Sequence, residues 1–262
     1  MIVLFTDYGV GGPYTGQVKA VLAREAPGVP VVDLFADAPR CNPKAAAYLL
    51  AAYVDEFPPE TVFLGVVDPG VGTARAAVIV RADGRWYVGP DNGLFEMVVR
   101  RAAAPAAWWT IRWRPTSLSS TFHGRDLFAP VAARLARGER PVEAAAAGVA
   151  WAVPCPEGGQ RFPEWPKDWA DVIYIDPFGN AMTGVTVRNL PAHAIVTLPD
   201  GREIPRARTF SDVSLGEPFW YENANGLLEI AVNQGRADAC LGLRLGTSIS
   251  IRDTSSDRRN KS

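Results

Sequence analysis

The chain has 262 residues, is 48 % hydrophobic, and sets 27 Lys and Arg against 28 Asp and Glu for a formal charge of −1. That length suits one large domain or two modest ones, and the balanced charge leaves no electrostatic case for nucleic acid or an anionic membrane surface as a partner. Three scattered cysteines, Cys41, Cys155 and Cys240, offer neither a disulfide framework nor a metal-knuckle spacing, which points to a reducing cytoplasm.

The opening stretch MIVLFTDYG has no basic leader, and no apolar run approaches the ~20 residues of a membrane helix. Residues 2–6, IVLFT, form the continuous apolar and β-branched run of a strand covered on both faces. Residues 14–28 read as a helix, with Val18, Val21 and Leu22 at helical spacing and a Pro-Gly stop. After a strand at 29–35, Asn42 is placed to cap a helix whose first position is Pro43. Strands follow at 61–68, 76–82 and 85–89, then an alanine-rich helix at 124–138. This order predicts an α/β domain with a largely parallel sheet over residues 1–160.

Residues 151–170 are rich in Pro and Trp and show no period, so they read as a linker, centred on 161–170. Short alternating segments then run from ADVIYID to TSISIRD, punctuated by turn residues. They predict a smaller all-β, barrel-like domain over 171–253, with 254–262 a disordered tail.

The segment VVDPGVGTAR, 66–75, carries glycines that suggest a phosphate loop. It lacks the Walker lysine, Arg75 stands where a dinucleotide fingerprint needs its third glycine, and a strand rather than a helix follows. What remains is Asp68 at a strand's carboxyl end, where ligands of open α/β sheets gather, and an Arg seven residues on. A turn Asp paired with a surface Arg fits the segment equally well. In SSTFHGRDLFAP, 119–130, His123 sits just before a helix and has a pKa suited to proton transfer. Asp126 beside it is either part of that site or a first-turn charge favoured by the helix dipole. His193 reads as structural, in a turn.

Asp7 ends the first strand, where it can accept both hydroxyls of a ribose or simply form a turn. GPDNGLFE, 89–96, is a turn signal. Phe178 and Asn180, two apart in a loop, can stack on a base and pair with its edge, or build a turn. A dimetal site from Asp68, Asp91, His123 and Asp126 is disfavoured, since the chain has 2 histidines and no HxxxH or HxD pairing.

Taken together, TDYG, VVDPGVGTAR, GPDNGLFE, STFHGRDLFAP, DPFGN and LLEIAVNQG resemble the S-adenosyl-L-methionine (SAM) hydroxide adenosyltransferases over residues 1–250. These are hydrolytic relatives of the SAM-dependent fluorinating and chlorinating enzymes. The resemblance implies an N-terminal α/β domain, a C-terminal β-barrel, and a homotrimer with SAM between the N-domain of one subunit and the C-domain of its neighbour. The implied reaction is attack of water or hydroxide on C5′ of SAM, giving adenosine and L-methionine with no metal or other cofactor. Its triad falls on Asp68, Arg75 and His123, with the base among them left open. By the same resemblance Asp7 binds the ribose diol, and Phe122 and Gly124 belong to the substrate pocket. Phe178, Asn180 and Phe210 line the adenine site, and Asp176 faces the methionine ammonium. The segment YENANG, with Asn223 and Ala224, holds the methionine carboxylate.

Halide-using relatives place Tyr at the position of Asp68 and lack the Arg and His. Fluorinating members carry Ser where Gly124 stands, whereas chlorinating members have Gly there. Gly12 replaces an Asp, Ala224 a Ser, and Cys41 an aromatic residue found in relatives. Two other functions remain consistent with the sequence: a halide-dependent SAM lyase, and a protein that binds SAM or adenosine without turnover.

Overall fold

The computed structural model describes residues 1–141, 150–155, 161–191 and 194–253. The expectations for His193 and for the 254–262 tail fall outside the described residues. The chain divides into two units, Met1–Pro163 and Glu164–Ser262.

The first unit runs β1 (Ile2–Thr6), α1 (Tyr14–Glu25), β2 (Val31–Phe35), α2 (Pro43–Tyr53), β3 (Val62–Val66), β4 (Ala77–Ala82), β5 (Arg85–Pro90), α3 (Glu96–Arg101), β6 (Ala107–Ile111), α4 (Ala129–Ala136) and β7 (Ala152–Pro154). Its seven strands form one sheet in the order β2-β1-β3-β5-β4-β6-β7. The first four in that order are mutually parallel; β4 is antiparallel to both β5 and β6, and β7 to β6. Five of the seven strands therefore point the same way.

Every residue of β1 and β3 is buried, as two-sided cover demands. Ile2 and Leu4 of β1 join Val62, Leu64 and Val66 of β3 in a core with Val18, Val21 and Leu22 of α1 and the apolar face of α4. Asn42 caps α2 by accepting the Ala45 N–H at 3.0 Å, and Pro43 takes the first helical position, where a missing N–H costs nothing.

Three elements of this unit lie beyond the sequence expectations. Helix α3 and strand β6 follow the Pro-Asp-Asn-Gly turn, and β7 falls inside the stretch read as linker. Residues Ala152, Val153 and Pro154 pair with Ile111, Thr110 and Trp109, so this segment closes the sheet as an edge strand. An edge is where Pro154 can stand without an N–H to donate. The helix expected at 124–138 begins as a wide π turn, Gly124–Phe128, and becomes regular only at Ala129. Pro130 has no N–H with which to carry an α-helical ladder through Asp126.

The second unit runs β8 (Trp169–Ile175), β9 (Ala181–Thr186), β10 (Ala194–Thr197), β11 (Glu203–Ile204), β12 (Pro218–Glu222), β13 (Leu227–Val232), α5 (Ala237–Leu241) and β14 (Ser250–Asp253). Two antiparallel sheets, β12-β13-β9-β8 and β11-β10-β14, supply its walls. Isolated bridges join them at both sides, Asp171 with Ser248 and Arg206 with Trp220. Backbone bonds reinforce each seam: Val172 N–H to the Thr247 carbonyl at 2.9 Å, and Trp220 N–H to that of Pro205 at 2.9 Å. The circuit is thereby barrel-like, filled by Val196, Ile204, Trp220, Leu228, Ile230 and Ile249. Among the described residues no helix is long and apolar enough to cross a membrane.

Candidate functional site

In the first unit the sheet itself delivers the carboxylates. Strands β1 and β3 are parallel neighbours with Thr6 opposite Val66. Asp7 and Asp68 therefore emerge side by side at the carboxyl edge of the sheet, where such folds expose ligand-binding groups. The chain from Asp68 turns sharply, with Val71 N–H bonding the Asp68 carbonyl at 3.3 Å and Thr73 Oγ1 donating to the Gly70 carbonyl at 2.7 Å. It returns at Arg75 into β4.

Gly72 sits at φ +81°, and a Cβ there would lie 2.7 Å from the Ser120 carbonyl oxygen. Only glycine lets this loop lie against the segment that carries His123. The Pro-Asp-Asn-Gly turn braces both ends of the loop. Asn92 Nδ2–H donates to the Val67 carbonyl at 2.9 Å, and the Asp91 N–H to that of Ala76 at 3.0 Å.

Arg75 joins the three side chains. Its Nε–H donates to Asp68 Oδ1 at 2.7 Å and its Nη2 to Asp68 Oδ2, while Nη2 also lies 3.2 Å from His123 Nδ1. The Arg75 guanidinium is further held by the Ala76 carbonyl at 3.2 Å and packs over the Phe128 ring, 5.3 Å from its centroid. The pair is nearly dry: the Asp68 side chain is 4 % exposed and that of Arg75 11 %. The turn-and-surface reading of this segment is thus replaced by a buried, forked ion pair. A guanidinium only donates, so His123 Nδ1 accepts, and the neutral imidazole carries its proton on Nε2. Burial, and next the Arg75 charge, hold the His123 pKa below its usual value against the opposing pull of Asp68.

A cavity of about 70 Å³ adjoins these groups, lined in part by Asp7, Tyr8, Asp68, His123 and Gly124. Asp7 Oδ2 accepts the Cys41 N–H at 2.9 Å; burial raises its pKa, opposed by that bond and by Arg40. A wider pocket of about 600 Å³ is lined by Asp7, Tyr14, Arg40, Cys41, Phe122 and Arg125, among others. Phe122 stands edge-on to Tyr8 and Tyr14, with the Arg125 guanidinium 5.0 Å over its ring.

Asp126 is engaged elsewhere. Arg125 grips both its oxygens, at 2.6 and 3.0 Å, and it accepts the Ser119 N–H at 2.9 Å. The Arg125 hydrogen bonds hold its carboxyl below the usual range. Asp126 lies in the first turn of the helical segment Gly124–Phe128, the position the sequence allowed for a first-turn charge, and its bond to Ser119 also pins the loop that presents His123. Asp91 pairs with Arg161 at 3.5 Å, and among the described residues no three His, Cys, Asp or Glu are grouped to hold a metal ion.

The second unit has its own pocket, of about 740 Å³, lined by Asp176, Phe178, Asn180, Phe210 and Tyr221 together with residues 232–235. Asp176 Oδ1 accepts the Asn180 backbone N–H at 2.8 Å and Oδ2 the Asn180 Nδ2–H at 3.1 Å. This loop leaves the Phe178 ring 75 % exposed. Phe210 stands edge-on to Phe219 and Tyr221, at 5.0 and 5.6 Å between centroids. Behind the pocket Glu229 is buried on β13, directly across from Tyr221 of β12. It accepts the Tyr221 O–H and the Asn223 Nδ2–H, the latter at 2.9 Å, and burial raises its pKa.

Asn223 spends its side-chain oxygen on the N–H groups of Asn225 and Leu227, both at 3.0 Å, inside its own turn. Asn223 and Ala224 are not in the pocket lining, and Ala224 is exposed. Sequence reasoning overlooked Tyr8, Tyr221 and Glu229. For Glu229 the signal was present: one acid inside the otherwise apolar strand LLEIAV.

Comparison with known proteins agrees across both units. Residues 2–145 match the SAM hydroxide adenosyltransferase N-terminal domain and residues 170–250 its C-terminal domain. The (R)-S-adenosyl-L-methionine hydrolase of Thermus thermophilus is 41 % identical over 95 % of this chain and 98 % of that enzyme. A crystal structure of a conserved Thermotoga maritima protein superposes with a TM-score of 0.82 at 31 % identity, covering 97 % of this chain and all of that one. The fluorinase of an Actinoplanes species is more distant, at 25 % identity over 96 % of this chain and 97 % of that enzyme.

Proposed function

The chain belongs to the SAM hydroxide adenosyltransferase family, and from that premise we propose that it hydrolyses SAM to adenosine and L-methionine. The observation that carries the reading is the Asp68–Arg75–His123 chain of contacts, buried beside a cavity that Asp7 also lines.

SAM's sulfonium leaves as a neutral thioether, so the site has only to aim and activate a water in line with the C5′–S bond. Arg75 locks Asp68 in place, and the carboxylate accepts the proton that the water gives up. The new O–C5′ bond forms as C5′–S breaks, with that electron pair staying on methionine sulfur. His123, neutral with its proton on Nε2, is a donor toward the reacting groups. Asp7 takes the ribose hydroxyls, and Phe122 and Gly124 shape the space around C5′. Phe178, Asn180 and Phe210 receive adenine, Asp176 the methionine ammonium, and the turn at Asn223 and Ala224 the methionine carboxylate through its backbone N–H groups. No metal or redox cofactor is called for by chemistry with so good a leaving group. We further propose a cytoplasmic homotrimer, in which residues of the first unit of one copy and of the second unit of another share one substrate.

The test is incubation of purified protein with SAM and chromatography of the products, with Arg75→Ala and His123→Ala as controls. Adenosine and methionine are expected, with each variant slower by roughly a hundredfold or more. No adenosine at any pH would sink the reading. A halogenated nucleoside on adding chloride or fluoride would turn it into a lyase, and tight adenosine binding without turnover into a binding protein.

A further inference from the structure

Tyr8 follows Asp7 directly, and its hydroxyl oxygen is buried with no hydrogen-bond partner. Buried hydroxyls are nearly always paired, so this one points to a partner from outside the chain. Packing fixes where the oxygen lies: the ring stands edge-on to Phe122 and tilted against Tyr14, with centroids 5.7 and 6.0 Å away. A Cβ on Gly124 would fall 1.7 Å from the Tyr8 oxygen. The phenol therefore fills the space that any side chain at position 124 would take. Tyr8 also lines the cavity of about 70 Å³ shared with Asp7, Asp68 and His123. That space is roomy enough to hold a water beside these groups.

We propose that Tyr8 is a further catalytic residue, whose O–H donates a hydrogen bond to the oxygen that attacks C5′. The proposal rests on the hydrolase reading of this site. As water passes its proton to Asp68, the density of that O–H bond goes into the new O–C5′ bond and the oxygen stays near neutral, so the fixed Tyr8 donor engages one lone pair of the water and leaves the other in line with C5′–S. The C5′–S electron pair leaves with sulfur, and Tyr8 keeps its own proton throughout. Burial and the nearby carboxylates of Asp7 and Asp68 raise the Tyr8 pKa, so the phenol stays protonated and able to donate. Gly124 acquires a definite purpose in this scheme: its missing Cβ makes room for the hydroxyl.

Tyr8→Phe removes one oxygen and leaves the ring packing in place, which an unchanged melting curve would verify. Its kcat on SAM should fall about ten- to a hundredfold while KM stays within about twofold, the mark of a group that aims the attacking water and does not hold the substrate. A kcat within about twofold of the parent would overturn the proposal, as would a raised KM with kcat intact, which would place the hydroxyl on the ribose. High-resolution crystals of the unliganded parent protein supply a readout that needs no turnover. An ordered water within hydrogen-bond reach of Tyr8 Oη and of Asp68 or His123 is expected, and a dry cavity would refute the assignment. If the parent releases no adenosine, the hydrolase reading fails by itself, and the occupancy of the cavity still reports whether Tyr8 holds a water.

Discussion

In the first unit the buried carboxylate of Asp68 is answered by a guanidinium, whereas in the second the buried carboxylate of Glu229 is answered by a phenol and an amide. The first arrangement keeps a full charge in place beside a small cavity, with a cation on its far side. The second surrounds its acid with neutral donors, and burial pushes that acid toward protonation. Damage to the two units should accordingly differ in kind.

The largest effect should come from the ionic side. Arg75→Ala leaves Asp68 charged, buried and alone, which costs about 3–5 kcal/mol of stability when one partner of such a pair is lost. It should also lower kcat by roughly a thousandfold, since it removes the group that fixes both Asp68 and His123. Denaturant melts and single-turnover assays read the two losses separately. If stability falls and the rate does not, the ion pair is structural alone.

A smaller effect should follow pH. Because His123 titrates below its ordinary value of 6.5, activity should hold level through neutrality and decline only in acid, by about tenfold per unit below that pKa. The protonated ring can no longer accept at Nδ1 from Arg75. Stability shares the sign: a depressed histidine contributes fully above pH 6.5, and the contribution is lost as pH falls toward the folded-state value. A rate profile that bends above pH 6.5 would contradict the contact with Arg75.

The smallest change should be Glu229→Gln. One oxygen still accepts from Tyr221, while the new amide faces the Asn223 amide donor-to-donor, a cost of about 1 kcal/mol. Adenosine affinity, read by calorimetry, should weaken about fivefold at most, with kcat unmoved. A large loss of kcat would erase the contrast between the two units.

Much of the ionic side was legible in the residues themselves. Asp68 and Arg75 lie in one short loop, and a strand on either side dictates that the loop turns back at the carboxyl edge of the sheet. His123 stood out because histidine is rare in this chain. Tyr8 was not legible, since its hydroxyl matters only where Gly124, far away in sequence, leaves a gap. The edge strand β7 was hidden for a related reason: Trp151 and Pro154 look like linker, and only pairing with β6 makes them sheet. The helix at Ala129 was expected but its wide first turn was not, because the cause, Pro130, acts on a bond that sequence periodicity does not register.

The double seam of the second unit has one more consequence. A sheet with open sides offers rows of unpaired N–H and C=O groups to any passing strand, an invitation to edge-to-edge aggregation. Here Asp171–Ser248 and Arg206–Trp220 stitch each sheet's border to the other's. The first unit guards its borders differently, with Asp33 of β2 paired to Lys19 of α1 and a brief, proline-ended β7. Each unit thus blunts its own borders by a different means, cross-bridges between sheets in one and a charged pair and a proline in the other.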